Sequence, residues 1–88
     1  MFRWTLSIKT TAQKDIVRLG EASCKQVITK LSWLEKNIDS IIPARLSGNM
    51  SDFYKLRVGD YRVIYDFNMR RLIINVYRVE HRSRVYKK

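Results

Sequence analysis

The chain contains little of what stabilises secreted domains or spans membranes. Its 88 residues include one cysteine, one proline and three glycines. Cys24 has no partner for an internal disulfide, which excludes a disulfide-stabilised scaffold and is typical of a reducing cytoplasm. No apolar run approaches the ~20 residues of a membrane helix, and strand-like alternation begins where a signal peptide would carry an apolar segment. We therefore expect a cytoplasmic protein with no membrane partner.

Groups that bind metals and cofactors are equally scarce. One histidine and one cysteine give no ligand cluster, and the eight acidic residues do not pair at ligand spacing. The sequence has no glycine-rich phosphate loop, and Cys24 has no histidine close to it in sequence. We therefore expect no metal site and no cofactor, and nucleotide hydrolysis and thiol catalysis are unsupported.

Positive charge is abundant. The chain carries 18 Lys and Arg against 8 Asp and Glu, a formal net charge of +10, which is typical of proteins that bind nucleic acids or other polyanions. Such an excess destabilises a compact chain by self-repulsion, so an acidic protein partner would both neutralise and stabilise it. The length and the 45% of hydrophobic residues suit one folded domain, residues 1–88.

Hydropathy patterns in the first half predict one strand and two helices. Apolar and polar residues alternate over Arg3–Ile8, the pattern of a half-buried strand. Thr10 or Thr11 can cap a short helix that ends near residue 20, and a longer amphipathic helix follows over residues 21–37. Residues 41–51 are expected to form a loop that returns the chain to a sheet.

The second half of the chain predicts three strands, at about 53–58, 61–67 and 72–79, with turns at Gly59-Asp60 and at Asn68 to Arg71. The faces of the last strand are assigned on the condition that the second turn has two residues, Met69-Arg70. We expect these strands to form a three-stranded antiparallel meander. With the N-terminal strand and the helical hairpin packed on one face of the sheet, the fold class is α+β.

A two-residue turn at Gly59-Asp60 places Arg57 opposite Arg62 and separates the two faces of the sheet. One face is apolar and is expected to lie under the helices. The opposite face, called the basic face below, is predicted to carry Lys55, Arg57, Arg62, Ile64, Asp66, Ile73, Asn75 and Tyr77.

The cations of the basic face are spaced to hold phosphates. Lys55 and Arg57 lie two residues apart on one strand, so their side chains leave the same face about 7 Å apart, close to the spacing of successive phosphates. Arg62 lies opposite Arg57, and like charges across a strand pair repel unless an anion lies between them. This pairing favours a phosphate site over a solvated basic surface.

The C-terminal segment adds further candidates, since His81, Arg82, Arg84 and Tyr86 lie just beyond the last predicted strand. RNA cleavage by the neighbouring 2′-hydroxyl requires one group to remove its proton, one to protonate the leaving oxygen, and cations to stabilise the charge at phosphorus. Arginines supply that charge, a histidine can transfer either proton, and a tyrosine can stack on a base or align the attacking group. Together they suit RNA cleavage.

Three segments resemble those of a known family: Leu46-Ser47-Gly48, the run FYKLRVGDYRVIY from Phe53, and VEHRSRVY from Val79. With the order of strand, helical hairpin and meander, they are similar to the RelE/ParE toxin superfamily over nearly the whole chain. The resemblance implies a toxin held inactive by an acidic, RelB-like antitoxin. For the RelE branch it also implies an endoribonuclease that cuts messenger RNA in the ribosomal A site, here expected to be metal-independent.

The resemblance also implies roles for residues. Five residues match functional positions of the family: Lys55, Arg57, Arg62, Arg82 and Tyr86. In the family, residues at these positions grip the scissile phosphate, assist proton transfer and stack on the substrate base. Lys55 and His81 are both candidates for the general base, and Arg82 for the acid or a charge stabiliser. Arg84 is expected to join the phosphate-binding set.

Two other functions stay open. The ParE branch shares the fold but poisons DNA gyrase by binding, and its members generally lack the full set of basic residues and tyrosine present here. A non-catalytic RNA or ribosome binder would show salt-dependent affinity and leave the transcript uncut. The antitoxin is expected to dock on apolar surface around the helix hairpin or to wrap the basic face.

Overall fold

The computed structural model describes residues 3–50 and 52–82. Its elements are β1 (Thr5–Ile8), α1 (Thr10–Val17), α2 (Glu21–Asn37), β2 (Ala44–Arg45), a 3-10 helix (Gly48–Met50), β3 (Tyr54–Val58), β4 (Tyr61–Asn68) and β5 (Ile73–His81). The strands form one sheet in the order β1-β5-β4-β3-β2, which confirms the α+β class and the meander β3-β4-β5. Neither described helix combines the length and the apolar character needed to cross a membrane.

The sheet contains one strand more than the sequence predicts. Strand β2 lies inside the segment expected to be a loop, and it pairs antiparallel with β3 through Ala44–Lys55 and Arg45–Tyr54. Two residues are too few to show an alternation period, so hydropathy cannot detect such a strand. At the other edge of the sheet, β1 runs parallel to β5.

The helices cover one face of the sheet, as expected. Val27, Leu31 and Leu34 recur at three- and four-residue spacing on α2 and are buried, so they form the stripe of an amphipathic helix that faces a core. The sheet residues buried in the same core cluster are Val58, Val63, Tyr65, Ile74, Val76 and Val79.

The β3–β4 hairpin has the predicted register. Arg57 pairs with Arg62 and Val58 with Tyr61, on either side of the two-residue turn Gly59-Asp60. Gly59 has φ +58°, which suits the first central position of a type II′ turn, the kind that matches the twist of paired strands. The turn therefore fixes which side chains of β3 and β4 share a face.

The β4–β5 turn differs from the prediction. Asn68 pairs with Ile73, so the turn contains four residues, and the condition of a two-residue turn at Met69-Arg70 is not met. The Asn68 Oδ1 atom accepts hydrogen bonds from the backbone N–H groups of Arg70 and Arg71 at 2.9 and 3.0 Å, which favours this wider turn. The pairing moves by two residues, an even number, so the predicted faces are preserved.

A β-bulge interrupts β5. Tyr65 pairs with Val76, but Ile64 pairs with Arg78, so two residues of β5 oppose one residue of β4 and Tyr77 has no register partner. One extra residue reverses the alternation of side chains along the bulged strand.

The outcome of that reversal is visible in the core. Val76 before the bulge and Val79 after it are both buried in the same cluster, although an odd number of positions separates them. Glu80 consequently lies on the basic face, opposite Arg62, and His81 lies on the helix side, opposite Tyr61. If the alternation continued along β5 without a bulge, Glu80 would lie on the helix side and His81 on the basic face.

Tyr65 makes the stability of this core sensitive to alkali. Burial, with a smaller contribution from Tyr54, raises the pKa of Tyr65 to about 12, whereas tyrosine in an unfolded chain has a pKa of about 10. Its stabilising contribution is complete below about pH 10 and is lost as the pH rises towards 12. We expect the free energy of unfolding to fall by about 2–3 kcal/mol over this interval.

Urea unfolding across that pH interval tests the expectation, with Tyr65→Phe as the comparison. The phenylalanine variant lacks the titrating hydroxyl, so its free energy of unfolding should fall by about 2–3 kcal/mol less than that of the natural sequence. Parallel pH profiles for the two proteins would contradict the assignment to Tyr65.

Candidate functional site

Arg62 lies at the centre of the basic face. On β4 it pairs with Arg57 of β3 on one side and with Glu80 of β5 on the other, and directly opposed residues have Cβ atoms about 5 Å apart. An Arg62 terminal nitrogen lies 3.5 Å from Glu80 Oε1, with side chains 25% and 26% exposed. Glu80 partly offsets the charge of Arg62 and orients its guanidinium, while Arg57 remains exposed.

One nitrogen of this guanidinium is unsatisfied. Arg62 Nε is buried and has no hydrogen-bond acceptor among the residues that the structure describes. A buried donor without an acceptor costs about 1–3 kcal/mol. The Arg62 side chain is partly exposed and Arg57 is exposed, so guanidinium groups of both remain able to donate to an anion at the surface. These two arginines are the candidate anion-binding groups of the basic face.

Lys55 extends the positive surface along β3. It pairs with Ile64 on β4 and with Ala44 on β2, is exposed, and shares its face with Arg57, about 7 Å away along the strand. The structure therefore brings Lys55, Arg57 and Arg62 together on one face.

Arg82 follows the last residue of β5, close to the basic face. Its backbone N–H donates to the Asp60 carbonyl at 2.8 Å, two positions beyond the Glu80–Arg62 pair, so its backbone is fixed beside the β3–β4 turn. Arg82 is exposed and lies outside β5, whose alternation ends at His81 with Glu80 on the basic face. Arg84 and Tyr86 lie outside the described residues, and their placement stays a prediction.

His81 lies on the other side of the sheet. Its ring meets the ring of Tyr61 edge to face, with centroids 5.2 Å apart. Together with Asp15, Arg18 and Tyr61 it lines a cavity of about 320 Å³ on the helix side. The structure does not bring His81 beside Arg62, and the bulge is the physical reason.

A polar cluster occupies the opposite end of the basic face. The Tyr77 hydroxyl donates to Asp66 Oδ2 at 3.0 Å and the Asn75 amide to Asp66 Oδ1 at 2.9 Å, while Phe53 packs edge to face on Tyr77. Burial, followed by the hydrogen bond and charge of Asp66, raises the pKa of Tyr77. The Asp66 carboxylate repels anions, so the positive charge available to an anion is concentrated at the end of the basic face that carries Arg57 and Arg62.

Metal-ligating side chains do not converge at this cluster. Over residues 3–50 and 52–82, no group of three or more His, Cys, Asp or Glu residues is placed to hold a metal ion. The chemical groups gathered on the described part of the basic face are guanidinium, ammonium, carboxylate, amide and phenol.

Sequence reasoning missed Asp15, which lies on α1 and reaches β5. Its carboxylate accepts hydrogen bonds from Arg78 Nε at 2.8 Å and from the Val79 N–H at 2.9 Å. Burial raises the pKa of Asp15, but the hydrogen bonds from Arg78 and Val79 outweigh it and lower the pKa below its ordinary value. The carboxylate is therefore ionised at neutral pH, and its stabilising contribution is lost only as the pH falls below about 4.

Comparison with known proteins gives a family match over residues 6–86, to the family described as the ParE toxin of the type II toxin–antitoxin system parDE. Among solved structures, the toxin–antitoxin complex RelBE2 of Mycobacterium tuberculosis matches with TM-score 0.81 and 22% identity over 92% of this chain and 100% of that chain. The RelE–RelB complex of Pyrococcus horikoshii matches with TM-score 0.74 and 24% identity, covering 94% of this chain and 99% of that chain. At these identities the two matches show the fold.

The isolated RelE toxin of E. coli is similar at 25% identity and TM-score 0.73, over 89% of this chain and 83% of that chain. A stretch of 51 residues is also 37% identical to envelope glycoprotein gp160 of human immunodeficiency virus type 2 subtype B. That match spans 53% of this chain and only 6% of the glycoprotein, so no activity is carried over from it.

Proposed function

Because the chain belongs to the RelE/ParE family of toxins of type II toxin–antitoxin systems, we propose that it is a RelE-like endoribonuclease that cleaves messenger RNA in the ribosomal A site. The observation that carries the proposal is Arg62, which is set between Arg57 and Glu80 with a buried Nε that lacks an acceptor among the described residues. Two arginines opposed on one face suit a phosphate whose charge grows during reaction.

The reaction joins the 2′-oxygen to phosphorus while the bond from phosphorus to the 5′-oxygen breaks. The 2′-hydroxyl proton passes to a base, another proton goes to the leaving 5′-oxygen, and the products end in a 2′,3′-cyclic phosphate and a 5′-hydroxyl. Arg57 and Arg62 hold the non-bridging oxygens and stabilise the negative charge that develops on them.

The positions of the two candidate general bases in the fold support one of them. Of the two candidates, Lys55 lies on the basic face with the arginines, whereas His81 lies on the helix side against Tyr61. We assign proton removal to Lys55 and place Arg82 at the leaving oxygen, as acid or charge stabiliser. Tyr86 is proposed to stack on a substrate base, as the resemblance implies.

The partners follow from the charge of +10. An acidic, RelB-like antitoxin would neutralise the basic face and relieve self-repulsion, and the ribosome would present the message in the cytoplasm. The RelBE and RelE–RelB complexes among the similar structures support an antitoxin partner.

The test is incubation of the purified protein with translating ribosomes on a defined message, followed by primer extension. We expect cuts within A-site codons and 3′ ends that carry a 2′,3′-cyclic phosphate. The same message without ribosomes tests whether cleavage needs the ribosome. Adding EDTA to that ribosome-free reaction tests whether cleavage of free message needs a metal. Intact message in every condition would overturn the proposal.

The second candidate is gyrase poisoning, favoured by the description of the matching family as a ParE toxin. Here the basic face would be a docking surface and messenger RNA would stay intact. A supercoiling assay with purified DNA gyrase discriminates between the two functions, since only a ParE-like toxin would inhibit supercoiling at concentrations that leave the message uncut.

A further inference from the structure

Strand β5 loses its β-strand neighbour on one edge before it ends. Strand β1 accompanies it only as far as Ile8, which pairs with Val76, and the Lys9 N–H then donates to the Val76 carbonyl at 2.9 Å. Beyond this point the backbone groups on that edge of β5 need other partners, because unpaired backbone groups that leave water are costly.

Side chains of α1 take over that pairing. The Thr11 hydroxyl donates to the Tyr77 carbonyl at 2.7 Å, and one helical turn later the Asp15 carboxylate accepts from the Val79 N–H at 2.9 Å. Asp15 also binds Arg78 through Nε at 2.8 Å and through a terminal nitrogen at 3.4 Å. Thr11 and Asp15 lie four residues apart, so they share one face of the helix.

These contacts bracket the bulge. They hold Tyr77, which has no register partner on β4, and the two residues that follow it, Arg78 and Val79. A bulge on an open edge can relax by slipping one residue, which would exchange the faces of all side chains that follow. Glu80 would then leave the basic face and His81 would enter it.

We propose that Thr11 and Asp15 are positioning residues that hold the bulge of β5 in register from the helix side, and so keep Glu80 opposite Arg62 and Arg82 at the end of β5 beside the β3–β4 turn. The two residues touch neither substrate nor reacting atoms, and they act through the backbone of β5. The activity part of this inference rests on the proposed RNA cleavage, whereas the structural part does not.

The experiment measures amide hydrogen exchange by NMR together with message cleavage. Asp15→Ala and Thr11→Val remove the two contacts, while Thr11→Ser keeps the hydroxyl. Glu21→Ala, at an exposed position of α2, is the control that removes the same charge as Asp15→Ala. The reporter is the Arg82 amide, bound to the Asp60 carbonyl and in contact with neither altered side chain, and the Val63 amide reports global opening.

We expect Asp15→Ala and Thr11→Val to speed exchange at Arg82 about tenfold or more, with Val63 much less affected. We expect kcat for cleavage to fall about 10- to 100-fold with KM within about twofold, because Lys55, Arg57 and Arg62 still bind the message while Arg82 is displaced. Thr11→Ser and Glu21→Ala should behave like the natural sequence.

The proposal would be overturned if the Arg82 amide exchanged at the rate of the natural sequence in both Asp15→Ala and Thr11→Val. Faster exchange at Arg82 with an unchanged kcat would also overturn it. If Asp15→Ala fails to fold, Thr11→Val, which is close to isosteric, gives the answer alone. If the natural protein cuts no message, the proposed function fails, and exchange at Arg82 still decides whether α1 holds the bulge.

Discussion

Arg62→Ala is expected to lower message cleavage about a hundredfold to a thousandfold while the protein stays folded. The change removes the guanidinium between Arg57 and Glu80 and leaves the Glu80 carboxylate facing the proposed position of the phosphate. Stability should change by less than about 1 kcal/mol, since the lost ion pair is partly exposed and a like-charge opposition is relieved. Initial rates of A-site cleavage and urea unfolding measure the two effects.

Three further variants separate charge from geometry at this position. Arg62→Lys keeps the charge without the planar fork and should recover only part of the rate. Adding Glu80→Gln to Arg62→Ala removes the repulsion from the exposed carboxylate and should restore part of the affinity. Arg70→Ala removes an exposed arginine in the β4–β5 turn, at the other end of the hairpin, and should cleave normally. Normal cleavage by a folded Arg62→Ala protein would remove Arg62 from the site.

The placement of Arg57 opposite Arg62 could be predicted because one turn determines it. A glycine at the first central position of a two-residue turn selects the type II′ geometry, and the register of β3 against β4 then follows residue by residue. The core face of α2 was predictable for a similar reason, since the 3.6-residue period is sustained over four turns. Local rules were sufficient wherever a regular period was not interrupted.

The faces beyond the bulge could not be predicted in this way. The bulge at Tyr77 depends on the two α1 side chains, Thr11 and Asp15, about 65 positions away, and one such insertion reverses every following side chain. His81 lies on the helix side, whereas its neighbour Glu80 lies on the basic face opposite Arg62. Sequence reasoning placed His81 in one site with Arg62 and Arg82 because it had no means of assigning its face.

The burial of residues on the basic face could also not be predicted from the alternation of apolar and polar residues. Ile64 is only 3% exposed although it lies on the face away from the helices and outside the main core cluster. Its register partners are Lys55 and Arg78, and the aliphatic stems of such long side chains can cover apolar surface. The Lys55 side chain is exposed, whereas the Arg78 guanidinium binds Asp15. Alternation predicts which face a residue occupies, but it does not predict what covers that face.

Leu34→Ala is expected to destabilise the protein by about 3 kcal/mol. Leu34 is fully buried in the stripe of α2 that packs on the sheet, so the change removes apolar contacts and leaves a cavity that the surrounding strands can close only in part. A domain of this size has a total free energy of unfolding of about 4–13 kcal/mol, and the charge of +10 lowers it further through self-repulsion. Urea unfolding at neutral pH measures the loss.

The control is Lys36→Ala, two residues further along α2 at an exposed position, where we expect a change within about 0.5 kcal/mol. Because self-repulsion is screened by salt, raising the ionic strength should stabilise both proteins, whereas the difference between Leu34→Ala and the natural sequence should stay nearly constant. A loss below about 1 kcal/mol for Leu34→Ala would mean that α2 does not supply the core beneath β3, β4 and β5. The basic face would then need another support for its register.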